Sequence, residues 1–170
     1  MYAQSHHLAH VIARTLALAG GGALILLILL TCLSIIGRVL VPLDIGIGPI
    51  RGIYDITEIG ISAAVFAFLP WAQLRETHAR VDLFQWAIPR RINQGLDLLF
   101  NMAMAFVAIV GSHRLYLGMQ DKITYGETTL IAQIPVWQGY ALALVGALGF
   151  VLVSIFCVIR AARRLVGFEE

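Results

Sequence analysis

From Thr15 to Gly37 the chain carries no charged residue, and most positions are Leu, Ile, Ala or Gly. Crossing the hydrocarbon layer of a bilayer takes about 20 apolar residues, so this run is long enough to span it. A soluble fold could not cover such a helix on every side. Arg14 stands just before the run, as a basic residue does in a secretory signal. The run is nevertheless too long for a signal's apolar core and lacks a small-x-small cleavage pattern before Arg38, so a retained membrane helix is expected.

The rest of the chain belongs to the same class. Of its 170 residues 59% are hydrophobic and only 13% charged, which leaves room for several spans and for no sizeable soluble domain. Four spans are expected within one membrane domain covering residues 1–170: Thr15 to Gly37, Tyr54 to Leu74, Ile92 to Met119 and Pro135 to Ile159. Cationic residues set the direction. Arg14, Arg75, Arg80, Arg90, Arg91, Arg160, Arg163 and Arg164 fall on one side of a four-span arrangement, and Arg38, Arg51, Arg114 and Lys122 on the other. The excess of positive charge marks the cytoplasmic side, so both termini are expected inside. Trp71 and Trp86 then lie at the inner interface, and Tyr54, Tyr116, Tyr125, Trp137 and Tyr140 at the outer one. The expected fold is thus all-α and integral to the membrane, with four helices and both ends in the cytoplasm.

The connections add detail. Pro42, Gly46, Gly48, Pro49 and Gly52 break helices and predict a compact outer loop between spans one and two. Between spans two and three, Val81, Phe84 and Ile88 recur at near-helical spacing beside Trp86, which predicts a short amphipathic helix in the inner interface, ending near Pro89.

Small and polar residues form stripes on the spans. At 100° per residue, Gly60, Ala63, Ala64 and Ala67 share one face of span two, while Asp55, Glu58 and Ser62 share the opposite one. Gly139, Ala143, Gly146 and Ala147 repeat the small face on span four, and Gly20 to Gly22 offer one in span one. Association within lipid depends on close backbone approach, so these faces are contact surfaces, either within the bundle or against a partner protein. Asp97, Asn101, Ala105, Ala108 and Ser112 make a polar seam on span three. Asp55, Glu58, Asp97 and Arg114 are the candidate polar or ion-pair positions. Glu58 lies one turn past Asp55, within possible reach of Arg51 or Arg114, and it is the carboxylate to weigh for ion coupling.

Several chemistries find no support. Cys32 and Cys157 both lie in apolar runs and are expected to be buried packing residues, with no spacing suited to zinc. His6, His7, His10, His78 and His113 are not placed as facing haem ligands. No phosphate loop, G-x-S-x-G or H-E-x-x-H motif is present, so no catalytic site is expected. The cations cluster beside apolar runs rather than along one polar face, which gives no reason to expect nucleic acid as a partner.

The segments LPWAQLRETHARVD, Leu69 to Asp82, and GETTLIAQIPVWQG, Gly126 to Gly139, resemble the small permease (DctQ-like) subunit of tripartite ATP-independent periplasmic (TRAP) transporters. The resemblance extends over nearly the whole chain, including the four-span layout, the Gly/Pro-rich first loop and the basic carboxyl end. It implies a bacterial inner-membrane complex in which this subunit accompanies a larger permease and a periplasmic substrate-binding protein delivers an organic anion. Sodium-coupled symport would then belong to the large subunit, which would hold the sodium ions, while this chain would carry no cofactor and act as scaffold.

On that reading, Gly60, Ala63, Ala64, Ala67, Gly139, Ala143, Gly146 and Ala147 become candidates for the large-subunit interface. Asp44, Arg51, Asp121 and Lys122 become candidates for the outer surface that docks the binding protein, and Arg75, His78 and Arg80 would meet lipid headgroups. Two other readings stay open on the residues alone. One is a self-sufficient small ion-coupled transporter resting on Glu58, and the other is a membrane anchor for a redox enzyme.

Overall fold

The structure, a computed structural model, describes residues 2–43, 48–75 and 90–166. It is helical throughout its ordered elements: α1 (Tyr2–Leu40), α2 (Ile53–Leu74), α3 (Arg90–Tyr125) and α4 (Trp137–Leu165), with a 3-10 turn at Val41–Leu43. All four helices contain a stretch long and apolar enough to cross a membrane. The amphipathic helix expected around Val81, Phe84, Trp86 and Ile88 lies outside the described residues, as do His78, Arg80 and Asp44.

Helix α4 is the centre of the assembly. It packs along α2 and α3 and more lightly on α1, whereas α1 packs mainly on α2. Half of its most apolar stretch is buried, 50% against 17% for α1. Small residues make this possible. A Cβ on Gly146 would stand 2.6 Å from the Phe66 carbonyl carbon, and one on Gly20 would stand 3.1 Å from the Ala67 methyl. Backbones that close exchange dispersion contacts that longer side chains would hold apart.

Three helices extend beyond the expected spans. Helix α1 begins at Tyr2 rather than near Thr15, because the preceding segment has an apolar face of its own. Ala9 and Ala13 are buried with Leu74, Val153, Phe156 and Cys157, and Trp71 packs against this cluster. His6 meets the Phe156 ring edge-on at 5.8 Å and His10 the Trp71 ring at 5.4 Å, while the Arg75 guanidinium stacks 4.7 Å from the Trp71 centroid. These histidines are thus packing groups on a helix. Helix α3 likewise runs on to Tyr125 and α4 to Leu165.

The cysteines divide. Cys157 is buried as expected, but Cys32 is exposed, because α1 buries only one side and Cys32 falls on the other with Leu29, Leu33 and Ile36.

Candidate functional site: the capped cleft between helices 2 and 3

Two loops close one end of the bundle and interlock. The first folds back over α1: the Ser34 hydroxyl accepts the Ile50 N–H at 3.2 Å, and Gly37 lies so near Gly48 that a Cβ there would be 2.6 Å from its carbonyl oxygen. Gly52 then starts α2 with φ of 76°, in the left-handed region that glycine tolerates best. A side chain at Gly52 would also collide with Ala132, whose methyl lies 2.5 Å from the Cβ position.

The second loop, between α3 and α4, is a small hairpin. Thr129 N–H donates to Ile134 carbonyl at 2.9 Å, Val136 N–H donates to Glu127 carbonyl at 3.0 Å, and the Thr129 hydroxyl accepts Ile134 N–H at 3.0 Å. Asp55 ties this hairpin to α2. One of its carboxylate oxygens accepts both the Ile131 N–H at 3.0 Å and the Ala132 N–H at 2.8 Å. The partners of Asp55, a candidate polar or ion-pair position, are backbone N–H groups of the second loop. An anionic acceptor shared by two successive N–H groups makes charge-assisted bonds that fix the loop's position. The hairpin tip is left outside, with Leu130 96% exposed.

Beneath this cap, among the described residues, lies a cleft of about 430 Å³. Glu58, Ile59, Ser62 and Phe66 of α2 line one wall, Leu115 of α3 the other, and Gly139, Tyr140 and Ala143 of α4 the floor. It exists because α2 and α3 each pack on α4 without backbone contact between them. At the far end the two helices are joined by side chains: Gln73 Nε2 donates to Asn101 Oδ1 at 3.1 Å, and Asn101 Nδ2 donates to the Asp97 carbonyl at 2.8 Å. The polar seam on α3 faces inward accordingly, with Asn101, Ala105, Ala108 and Ser112 all buried.

The candidate interface residues are placed inside the chain's own bundle. Ala64, Ala143 and Ala147 are buried. Gly60 faces Leu27, Gly139 faces Ile59, Gly146 faces the Phe66 backbone and Ala67 faces Gly20, while Ala63 is half-buried. Neighbouring helices of the same chain thus stand against Gly60, Ala67, Gly139 and Gly146.

The remaining polar candidates are dispersed. Glu58 is exposed, and no ion pair joins it to Arg51 or Arg114 among the described residues. Arg51, Arg114 and Asp121 are exposed, Asp97 is half-buried, and Lys122 pairs with Glu127. Among the described residues no group of His, Cys, Asp and Glu is arranged to hold a metal ion.

No curated protein and no solved structure matches the chain. Residues 27–167 match the DctQ component of tripartite ATP-independent periplasmic transporters, a stretch that takes in the last third of α1, both interlocked loops and the cleft. With four helices able to cross a bilayer, the chain belongs to that family: it is a small inner-membrane subunit of a TRAP transporter and not an enzyme.

Proposed function

We propose that this chain is the stationary scaffold of a larger permease in sodium-coupled, binding-protein-dependent import of an organic anion. The family match over residues 27–167 carries the reading. The interlocked loops and the filled small-residue contacts support it, since they describe a body built to hold one shape. Sodium and substrate sites belong, on this reading, to the large subunit.

The charge distribution supports an orientation with both termini in the cytoplasm and the capped cleft toward the periplasm. Arg51, Asp121 and Lys122 lie on the segments that would then face the binding protein, and Asp44 joins them by sequence.

With Ala64, Ala143, Gly146 and Ala147 buried among the chain's own helices, the large-subunit contact moves to the outward face of α1. That face carries Leu18, Ile25, Leu29, Leu33 and Ile36, all exposed. Gly21 and Gly22 have no atom within 4 Å of a built Cβ, which leaves a place where another helix can approach closely. The test is co-purification of the large subunit with a tagged chain carrying Gly22→Trp. Loss of the partner with the small subunit still folded fits the proposal, and full retention contradicts it.

A further inference from the structure

We propose that the cleft between α2 and α3 holds one hydrocarbon chain of an amine-bearing phospholipid, whose ammonium group sits on the Glu58 carboxylate.

The apolar walls of the cleft suit a hydrocarbon chain. The cleft runs between α2 and α3, which are not in backbone contact, and the Gln73–Asn101 bond joins the same two helices beyond its lining. The cleft offers about 430 Å³. Away from Glu58 the cleft is apolar, which suits a single hydrocarbon chain. Its walls there are Ile59, Phe66, Leu115 and Ala143, which give water no hydrogen-bond partners.

Charge selects the headgroup. The lining includes two carboxylates, Asp55 and Glu58, and no Lys, Arg or His. Asp55 is engaged by the Ile131 and Ala132 N–H groups. Glu58 has neither hydrogen bond nor ion pair among the described residues. The Ser62 hydroxyl donates to the Ile59 carbonyl at 2.8 Å, so it is not left as a donor for a phosphate. An unpaired carboxylate at the mouth of an apolar slot near the membrane surface attracts an ammonium and repels a purely anionic headgroup.

The test uses native mass spectrometry of the full chain, alone and in complex with its large subunit, after exposure to equimolar phosphatidylethanolamine and phosphatidylglycerol with identical acyl chains. The wild-type chain is expected to retain phosphatidylethanolamine about fivefold over phosphatidylglycerol, the discrimination given by one unit charge near a headgroup surface. Glu58→Gln should reduce that ratio to about one while leaving the chain folded, because Glu58 is exposed and supports no other contact. Ser62→Phe, which fills the slot, should lower retention of both lipids. Equal retention of the two lipids by the wild type, or an unchanged ratio in Glu58→Gln, overturns the proposal. Retention by the chain alone but not by the complex also overturns it, by showing that a side chain of the large subunit fills the cleft. Failure of the two subunits to assemble would instead count against the scaffold reading, and the lipid measurement on the chain alone would stand apart from it.

Discussion

Asp55, in the first turn of α2, accepts the backbone N–H of Ala132 at 2.8 Å across 77 positions of sequence. The same oxygen takes the Ile131 N–H, so one carboxylate holds the Ile131–Ala132 side of the α3–α4 hairpin against the start of α2. Replacing it by Ala removes both acceptor contacts, and replacing it by Asn leaves a weaker, neutral acceptor of similar shape. Amide hydrogen exchange at Ile131 and Ala132 should therefore accelerate in Asp55→Ala and to a lesser degree in Asp55→Asn, with protection in the middle of α4 unchanged. Unaltered exchange at both amides in Asp55→Ala would show that the cap is held by other contacts.

Gly52 should be intolerant for two separable reasons. Its φ of 76° costs a residue with a Cβ about 1–2 kcal/mol, and that Cβ would stand 2.5 Å from the Ala132 methyl. Gly52→Ala should lower the thermal midpoint of the detergent-purified chain. Adding Ala132→Gly removes the methyl contact but leaves the residue-132 backbone N and Cα at 3.0 Å and the dihedral strain, and so should recover only part of the loss.

Gly146 and Gly111 form a matched pair for testing close helix contact. A methyl at Gly146 meets the Phe66 backbone, so Gly146→Ala should destabilise by about 1–3 kcal/mol through forced separation of α2 and α4. Gly111 has nothing within 4 Å of its Cβ position, and Gly111→Ala should be neutral or stabilise by up to about 1 kcal/mol through helix propensity. Unfolding of the two variants side by side in the same detergent checks both signs.

The Gln73–Asn101 bond ties α2 to α3 beyond the cleft. Interhelical hydrogen bonds between side chains in membranes are worth about 0.6 kcal/mol on average, with a maximum near 1.7. A double-mutant cycle on Gln73→Ala and Asn101→Ala should give a coupling in that range, and zero coupling would mean that the two amides act independently.

The membrane helices were legible because uncharged apolar length has one main explanation in a chain of this composition. Their ends were not, because α1 and α3 continue past the hydrocarbon, where a helix needs packing rather than hydropathy. The signal for α1 was present in the spacing of His6, Ala9, His10 and Ala13, which puts them on one side of a helix facing Phe156 and Trp71. The small-residue stripes were readable as contact faces. Which surface they meet was not, since Gly146 or Ala64 would serve equally well against α2 and α1 of this chain or against another protein. Asp55 was singled out as a polar site, but its partners are backbone N–H groups far along the chain, and a backbone donor leaves no mark in the residue types. The cleft was invisible for a related reason: it arises from α2 and α3 both choosing α4 over each other.

The central claim is that this chain serves a larger permease rather than transporting by itself. Its most direct test is uptake into proteoliposomes of a radiolabelled organic anion, chosen as one the associated binding protein retains, with a sodium gradient and that binding protein present. The tagged subunit is reconstituted alone, the large subunit alone, and the two together. The account predicts no uptake by the small subunit alone, sodium-dependent uptake by the pair, and stoichiometric recovery of the pair from the vesicles. Sodium-driven uptake by the small subunit in the absence of its partner would contradict it.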